Sequence, residues 1–152
     1  VSYYRTIVVP DPVVGADWAL VAPGQGWWRV VSLVARFVAS AAVANRQVEL
    51  RADDQTSIWF ASKTNINTTA GQVARYGAFG GAASSGVTGS VINIPLPTDG
   101  LLLAPGNRLI SLTGAIDVAD QWTNIVAQVQ EFPMGPSIEW LPSTSVQLAE
   151  MG

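Results

Sequence analysis

The chain has 152 residues, 49% hydrophobic and only 12% charged, against about 25% charged in an ordinary soluble domain. That length and composition suit one domain with a sizeable core and argue against disorder. Eight basic and eleven acidic residues give a net charge of −3 without any Lys/Arg cluster, which argues against a nucleic-acid partner.

Val1–Val9 is rich in strand formers, and Pro10 and Pro12 break it. Residues 1–26 are expected to form an extended N-terminal arm, with one short strand at Trp18–Val21 and a turn at Pro23-Gly24. Trp27–Ser40 is the clearest strand. Val31, Leu33, Ala35 and Phe37 fall on one face by period two, and Ser32 and Arg36 interrupt the other. The second face also carries Trp28, Val30, Val34 and Val38. It predicts either a strand held between two layers or a face covered by a neighbouring subunit.

Ala44–Ala52 alternates Arg46, Val48 and Leu50 against Gln47, Glu49 and Arg51. Asp53-Asp54-Gln55 is a turn, and Thr56–Ser62 completes a hairpin. Gln72–Phe79 is a further strand, followed by a glycine-rich loop at Gly77–Gly89. Ser90–Leu96 is bounded by Pro95 and Pro97, and Pro105-Gly106-Asn107 turns into Arg108–Thr113. Asp120–Glu131 is the last strand, and residues 132–152 form a tail. Seven or eight strands without a long amphipathic helix predict an all-β fold: an antiparallel, jelly-roll-like β-sandwich over residues 27–131, with extended arms at both ends. A barrel is the alternative.

The chemistry is sparse. Without Cys or His, no disulfide, thiolate metal site or Ser/His/Asp triad can be built. No nucleophile elbow, phosphate loop or dinucleotide fingerprint is present. Gly24-Gln25-Gly26 opens onto Trp27-Trp28 and reads as a turn. Asp53-Asp54 read as turn residues, and Asp117 with Asp120 are too few for a calcium site, which takes about six to eight oxygens. No catalytic, metal or cofactor residue is therefore expected. No apolar run is long enough for a membrane helix, and no basic-then-apolar leader opens the chain, which predicts no signal peptide. The six tryptophans suit a core, a protein interface or sugar stacking. The aromatics Tyr3, Tyr4, Trp18, Trp28, Phe132 and Trp140 are the expected interface residues.

Three segments carry a resemblance. They are Trp28-Arg29-Val30-Val31-Ser32-Leu33 continuing to Ser40-Ala41-Ala42-Val43-Ala44-Asn45-Arg46-Gln47-Val48, then Leu101-Leu102-Leu103-Ala104-Pro105-Gly106, then Asp120-Gln121-Trp122-Thr123-Asn124-Ile125. Together they resemble a group of small structural proteins of tailed bacteriophages and prophages. In that group a W-R-V…S-A-x-V-A-N-R strand pair precedes L-P-P-G-x-x-I/L and D-Q-W. One proline, Pro105, stands where that pattern has two. The resemblance spans about residues 27–131 and implies a non-enzymatic role in the virion. Capsid decoration is the leading form of it: a homo-oligomer, with a trimer favoured, that binds the major capsid protein or other virion subunits and uses no cofactor, nucleic acid or membrane. A tail, connector or spike sandwich with a receptor- or carbohydrate-binding role is the alternative.

Overall fold

Period-two burial decides which residues of this chain become strands. The computed structural model describes residues 1–81, 87–88 and 91–133. Among these the chain forms β1 (Tyr3–Val9), β2 (Ala19–Val21), β3 (Trp27–Val38), β4 (Gln47–Asp53), β5 (Ile58–Lys63), β6 (Val73–Gly80), β7 (Val87–Thr88), β8 (Val91–Leu96), β9 (Leu101–Leu103), β10 (Arg108–Gly114) and β11 (Gln121–Phe132). A seven-stranded sheet runs β1-β11-β3-β6-β8-β7, with β9 also beside β3, and a four-stranded sheet runs β2-β10-β4-β5. The two pack against each other as an all-β sandwich. The pairings are antiparallel except that of β6 with β8, which is parallel.

The core lies between the sheets. Val30, Phe37, Leu103, Ile125, Ala127 and Val129 of the larger sheet, and Val48, Leu50, Ala52 and Leu109 of the smaller, are fully buried. Each large apolar side chain so buried contributes roughly 1.5–3 kcal/mol relative to exposure. A one-residue slip would expose the whole set, so this pattern fixes the register. Trp122 sits at the centre of an aromatic group, with ring centroids 4.8 Å from Phe37, 5.5 Å from Tyr76 and 6.4 Å from Trp18.

Two bulges modify the simple alternation. Against β3, the register of β11 shifts between Gln128, opposite Ser32, and Val129, opposite Val30. Val31 is the extra residue, and it turns outward (38% exposed). Burial along β3 therefore follows Trp28 and Val30, then Leu33, Ala35 and Phe37. This corrects the placement of Val31 with Leu33, because strict period two cannot foresee an inserted residue. The second shift places Asn124 and Ile125 against Ala35. Asn124 takes φ 52° there, a conformation that asparagine tolerates better than most residues.

The N-terminal segment also differs from expectation. Residues 1–26 are woven into both sheets. β1 pairs with β11 over seven residues and β2 pairs with β10. The physical reason is the β-branched, inward-facing Ile7 and Val9, of which Val9 joins the core. Likewise β11 continues through Phe132, β6 runs on to Gly80, and Leu101–Leu103 is a strand. The expected tail beyond residue 133, with Trp140, lies outside the described residues, as does most of the glycine-rich loop.

Candidate interaction face and a buried polar clamp

The three segments singled out in the sequence meet in space. Ser40 follows β3, Arg46 precedes β4 and Asp120 precedes β11. The Arg46 and Asp120 side chains are wholly buried and form a two-point ion pair, Nε to Oδ2 at 2.8 Å and Nη2 to Oδ1 at 3.1 Å. Arg46 also donates to the carbonyls of Ala42 and Ala44 and to Ser40 Oγ. Asp120 accepts the backbone N–H groups of Ser40 and Asp117, both at 2.7 Å. Burial pushes the Asp120 carboxyl up, but these donors together outweigh it and hold the group below the ordinary carboxylate range. The clamp is sealed from solvent, so no substrate can reach it. Its effect is to fasten the β3–β4 connection to the start of β11. Elsewhere in the same motifs, Leu101–Leu103 pairs with Trp28–Val30.

A second, half-buried cluster anchors the N-terminal segment. Asp17 accepts from Ser111 Oγ (2.8 Å), Thr113 Oγ1 (2.6 Å), Thr113 N (3.0 Å) and Trp122 Nε1 (3.2 Å). This carboxylate joins the approach to β2 with β10 and β11 and keeps residues 1–26 on the body of the domain.

The outer face of the seven-stranded sheet carries exposed apolar side chains beside arginines, of which Arg36 donates to Thr123 Oγ1 at 3.5 Å. Across it Val8, Val126 and Val34 lie side by side in register. Val8 is 70% exposed and Val34 42%. In the next column of neighbours, Arg36 stands directly opposite Arg75. The four ion pairs among the described residues use Arg5, Arg46, Arg51 and Arg108, so neither Arg36 nor Arg75 has a carboxylate in reach there. Like charges placed opposite each other on one sheet face are destabilising. This face thus joins a valine row to an uncompensated pair of arginines.

Beside it lies an open depression of about 620 Å³, lined by Tyr4, Arg29, Ser32, Phe79, Asp99 and Gln130 among others. Gly77 makes room for the Phe79 ring, whose Cε2 and Cζ come within 2.8 Å of the point a Cβ at 77 would occupy. Gly100 closes one end: its φ is +84°, and a Cβ there would stand 2.6 Å from Val30 O.

Of the expected interface aromatics, Tyr3 and Tyr4 are exposed on β1, and Tyr4 points into the depression. Trp18, Trp28 and Phe132 are 2%, 7% and 8% exposed and are buried in the chain itself: Trp18 and Phe132 stand on a strand approach and a strand where the sequence predicts an arm and a tail, and Trp28 faces inward from β3. Trp140 lies outside the described residues. Sequence reasoning missed Val8, Val126, Arg36 and Arg75 as a group. The extra apolar face read on β3 was the available signal, whereas nothing local marks Arg75. A scan against protein-family models, a search of curated proteins and a search of solved structures each find no match to this chain.

Proposed function

We propose that this chain is a non-enzymatic structural subunit that sets the outer face of its larger sheet against neighbouring protein, and that the assembly is a tailed-phage particle. Capsid decoration is the role within it: the domain binds the major capsid protein or another virion subunit and stabilises the head lattice. The observation that carries the assembly reading is the Arg36–Arg75 pair beside the Val8–Val126–Val34 row. Arginine beside apolar surface is the composition of interface centres, and an acidic partner surface would relieve the repulsion between the two guanidinium groups. The low charge of the chain adds support. The phage reading draws on the resemblance, whose Ser40, Arg46 and Asp120 form the clamp. A chain with these residues in this spacing has what the clamp needs.

The test is to purify particles made from the genome that encodes the chain, and to detect it by mass spectrometry and labelled electron microscopy. It should be found on the head, and Arg36→Glu with Arg75→Glu should prevent incorporation while leaving the thermal melt near that of the wild type. Absence from the particles would refute the virion reading. Normal incorporation of the double variant would refute the role of this face.

A second reading rests on the depression. Tyr4 and Phe79 flank it, with Arg29, Asp99 and Gln130 between or beside them. Aromatic faces with planar polar side chains suit the stacking and paired hydroxyls of a sugar, which fits a carbohydrate-binding role at a phage tail. A glycan array on the wild type and on Tyr4→Ala discriminates the two: binding lost in the variant supports the sugar, and an array without signal removes it.

A further inference from the structure

We infer that β1 is a self-pairing edge, on which a second copy of this chain adds its own β1 in antiparallel register centred on Thr6. The inference rests on the assembly reading above and names one partner for it.

An open strand edge is a template for another strand, and proteins guard such edges by shortness, bulges, proline or charge. The other ends of the two sheets are guarded in these ways. β7 has two residues and β2 three, and β9, beside β3, also has three. β5 has a register irregularity against β4 and ends on Lys63. β1 is neither short nor bulged and holds no proline. Its seven residues, Tyr-Tyr-Arg-Thr-Ile-Val-Val, stay in unbroken register with β11, and their other side has no strand partner among the described residues. The single charge, Arg5, is already held by Glu131 at 2.9 Å.

The composition of β1 is also self-complementary in one register. Centring two antiparallel copies on Thr6 uses all seven residues of each. Tyr4 then faces Val8 of the second copy, and Tyr3 faces its Val9. Arg5 faces Ile7, and Thr6 faces itself. Centring on Arg5 instead would set two like charges opposite each other, which is unfavourable. Centring on Ile7 would shorten the overlap. The Thr6 register also covers the two most exposed large side chains of the strand, Val8 at 70% and Tyr4 at 69%. It extends the valine row of one copy into Tyr4 of the next. Antiparallel self-pairing has two-fold symmetry, so the contact closes at a dimer.

The chain has no cysteine, which makes the test direct. In the inferred register the two Thr6 Cα atoms lie about 4.5–5.5 Å apart, within disulfide range. The two Val8 positions are offset by four residues, about 13 Å. Under copper–phenanthroline oxidation the full-length Thr6→Cys variant should run as a covalent dimer on a non-reducing gel, and Val8→Cys should remain monomeric. By light scattering, the wild type should show twice the 16.0 kDa of one chain. Thr6→Lys, which sets two charges opposite each other on an exposed position, should return the monomer mass with an unchanged melt. Cross-linking of both cysteine variants alike, a trimeric mass, or a wild-type monomer up to the solubility limit would each overturn the inference. The assembly reading stands or falls separately, on whether the chain is found on particles.

Discussion

Asp120 offers the sharpest test of how the fold is held. Replacing it with alanine removes the carboxylate that accepts two bonds from Arg46 and one each from the Ser40 and Asp117 amides. Arg46 is left charged in a site closed to water, with only carbonyl and hydroxyl oxygens around it. Removing one partner of a buried pair costs about 3–5 kcal/mol. For a domain of this length each kcal/mol lowers the Tm by about 2–4 °C, so the expected fall is roughly 6–20 °C. Asp120→Asn keeps the shape and an acceptor but also leaves Arg46 unpaired, and should lose most of the same stability. Urea unfolding gives the free energies. A double-mutant cycle with Arg46→Met should then show a coupling of at least about 1 kcal/mol, because the two side chains act as one unit. A cost for Asp120→Ala under about 1 kcal/mol, or additive effects in the cycle, would refute the reading of the clamp as a fastener.

The remaining predictions concern acid, the N-terminal anchor, the bulge and the turns. Asp120 is held below its ordinary value in the folded chain, as are Asp53 beside Arg108 and Glu131 beside Arg5. The unfolded chain therefore binds more protons as the pH falls below roughly 4 to 4.5. Stability should be complete above that range and decline below it, with a shallower acid limb in Asp120→Asn, as measured by melts from pH 7 to pH 2. Asp17→Ala removes the acceptor of the Thr113 amide and leaves the Trp122 indole only the Thr113 hydroxyl, and should cost about 1–3 kcal/mol by urea titration, with earlier proteolysis within residues 1–26. Deleting Val31 removes the extra residue of β3 and leaves Trp28, Val30, Leu33, Ala35 and Phe37 in strict alternation on the inward face, so the variant should still fold, with a cooperative melt as the check. Val31→Ala should change stability by no more than about 0.5 kcal/mol. Gly100→Ala meets both an unfavourable φ and Val30 O, whereas Gly106→Ala, at φ +83° in open space, meets the φ alone. The first should therefore cost more than the roughly 1–2 kcal/mol of the second.

Strand identity was legible wherever burial is regular. Val48 and Leu50 read as one face of β4, and both are buried. The reading failed where the chain departs from period two or where a long-range partner decides the outcome. Val31 cannot be told from a core residue without knowing that Gln128 and Val129 skip it. Residues 1–26 look like an arm because Pro10, Pro12 and Pro23 interrupt them. They are held by Asp17 acting on residues about a hundred positions away, a contact that no local pattern encodes. The same is true of Arg46. In sequence it continues an alternating strand, and only Asp120 makes its burial tolerable.

The residues of the sequence motifs and those proposed for assembly are different sets, interleaved on the same strands. Trp28, Val30, Arg46, Asp120 and Trp122 face inward and are spent on the core, while Val34, Arg36, Val126 and Thr6 face outward. Alternation makes this separation possible, since each strand offers one face to the core and one to its surroundings. Two chains can therefore share every inward motif and still dock on unlike surfaces, because the outward positions are not bound by the packing of the core. The two sets should also separate by experiment. Changes at Arg46 or Asp120 should lower the melt, and any effect on assembly should follow from lost fold. Changes at Arg36, Arg75 or Thr6 should leave the melt alone and alter only what the protein assembles with. An outward substitution that unfolds the chain, or an inward one that leaves the melt untouched and abolishes assembly, would break the division on which the functional reading stands.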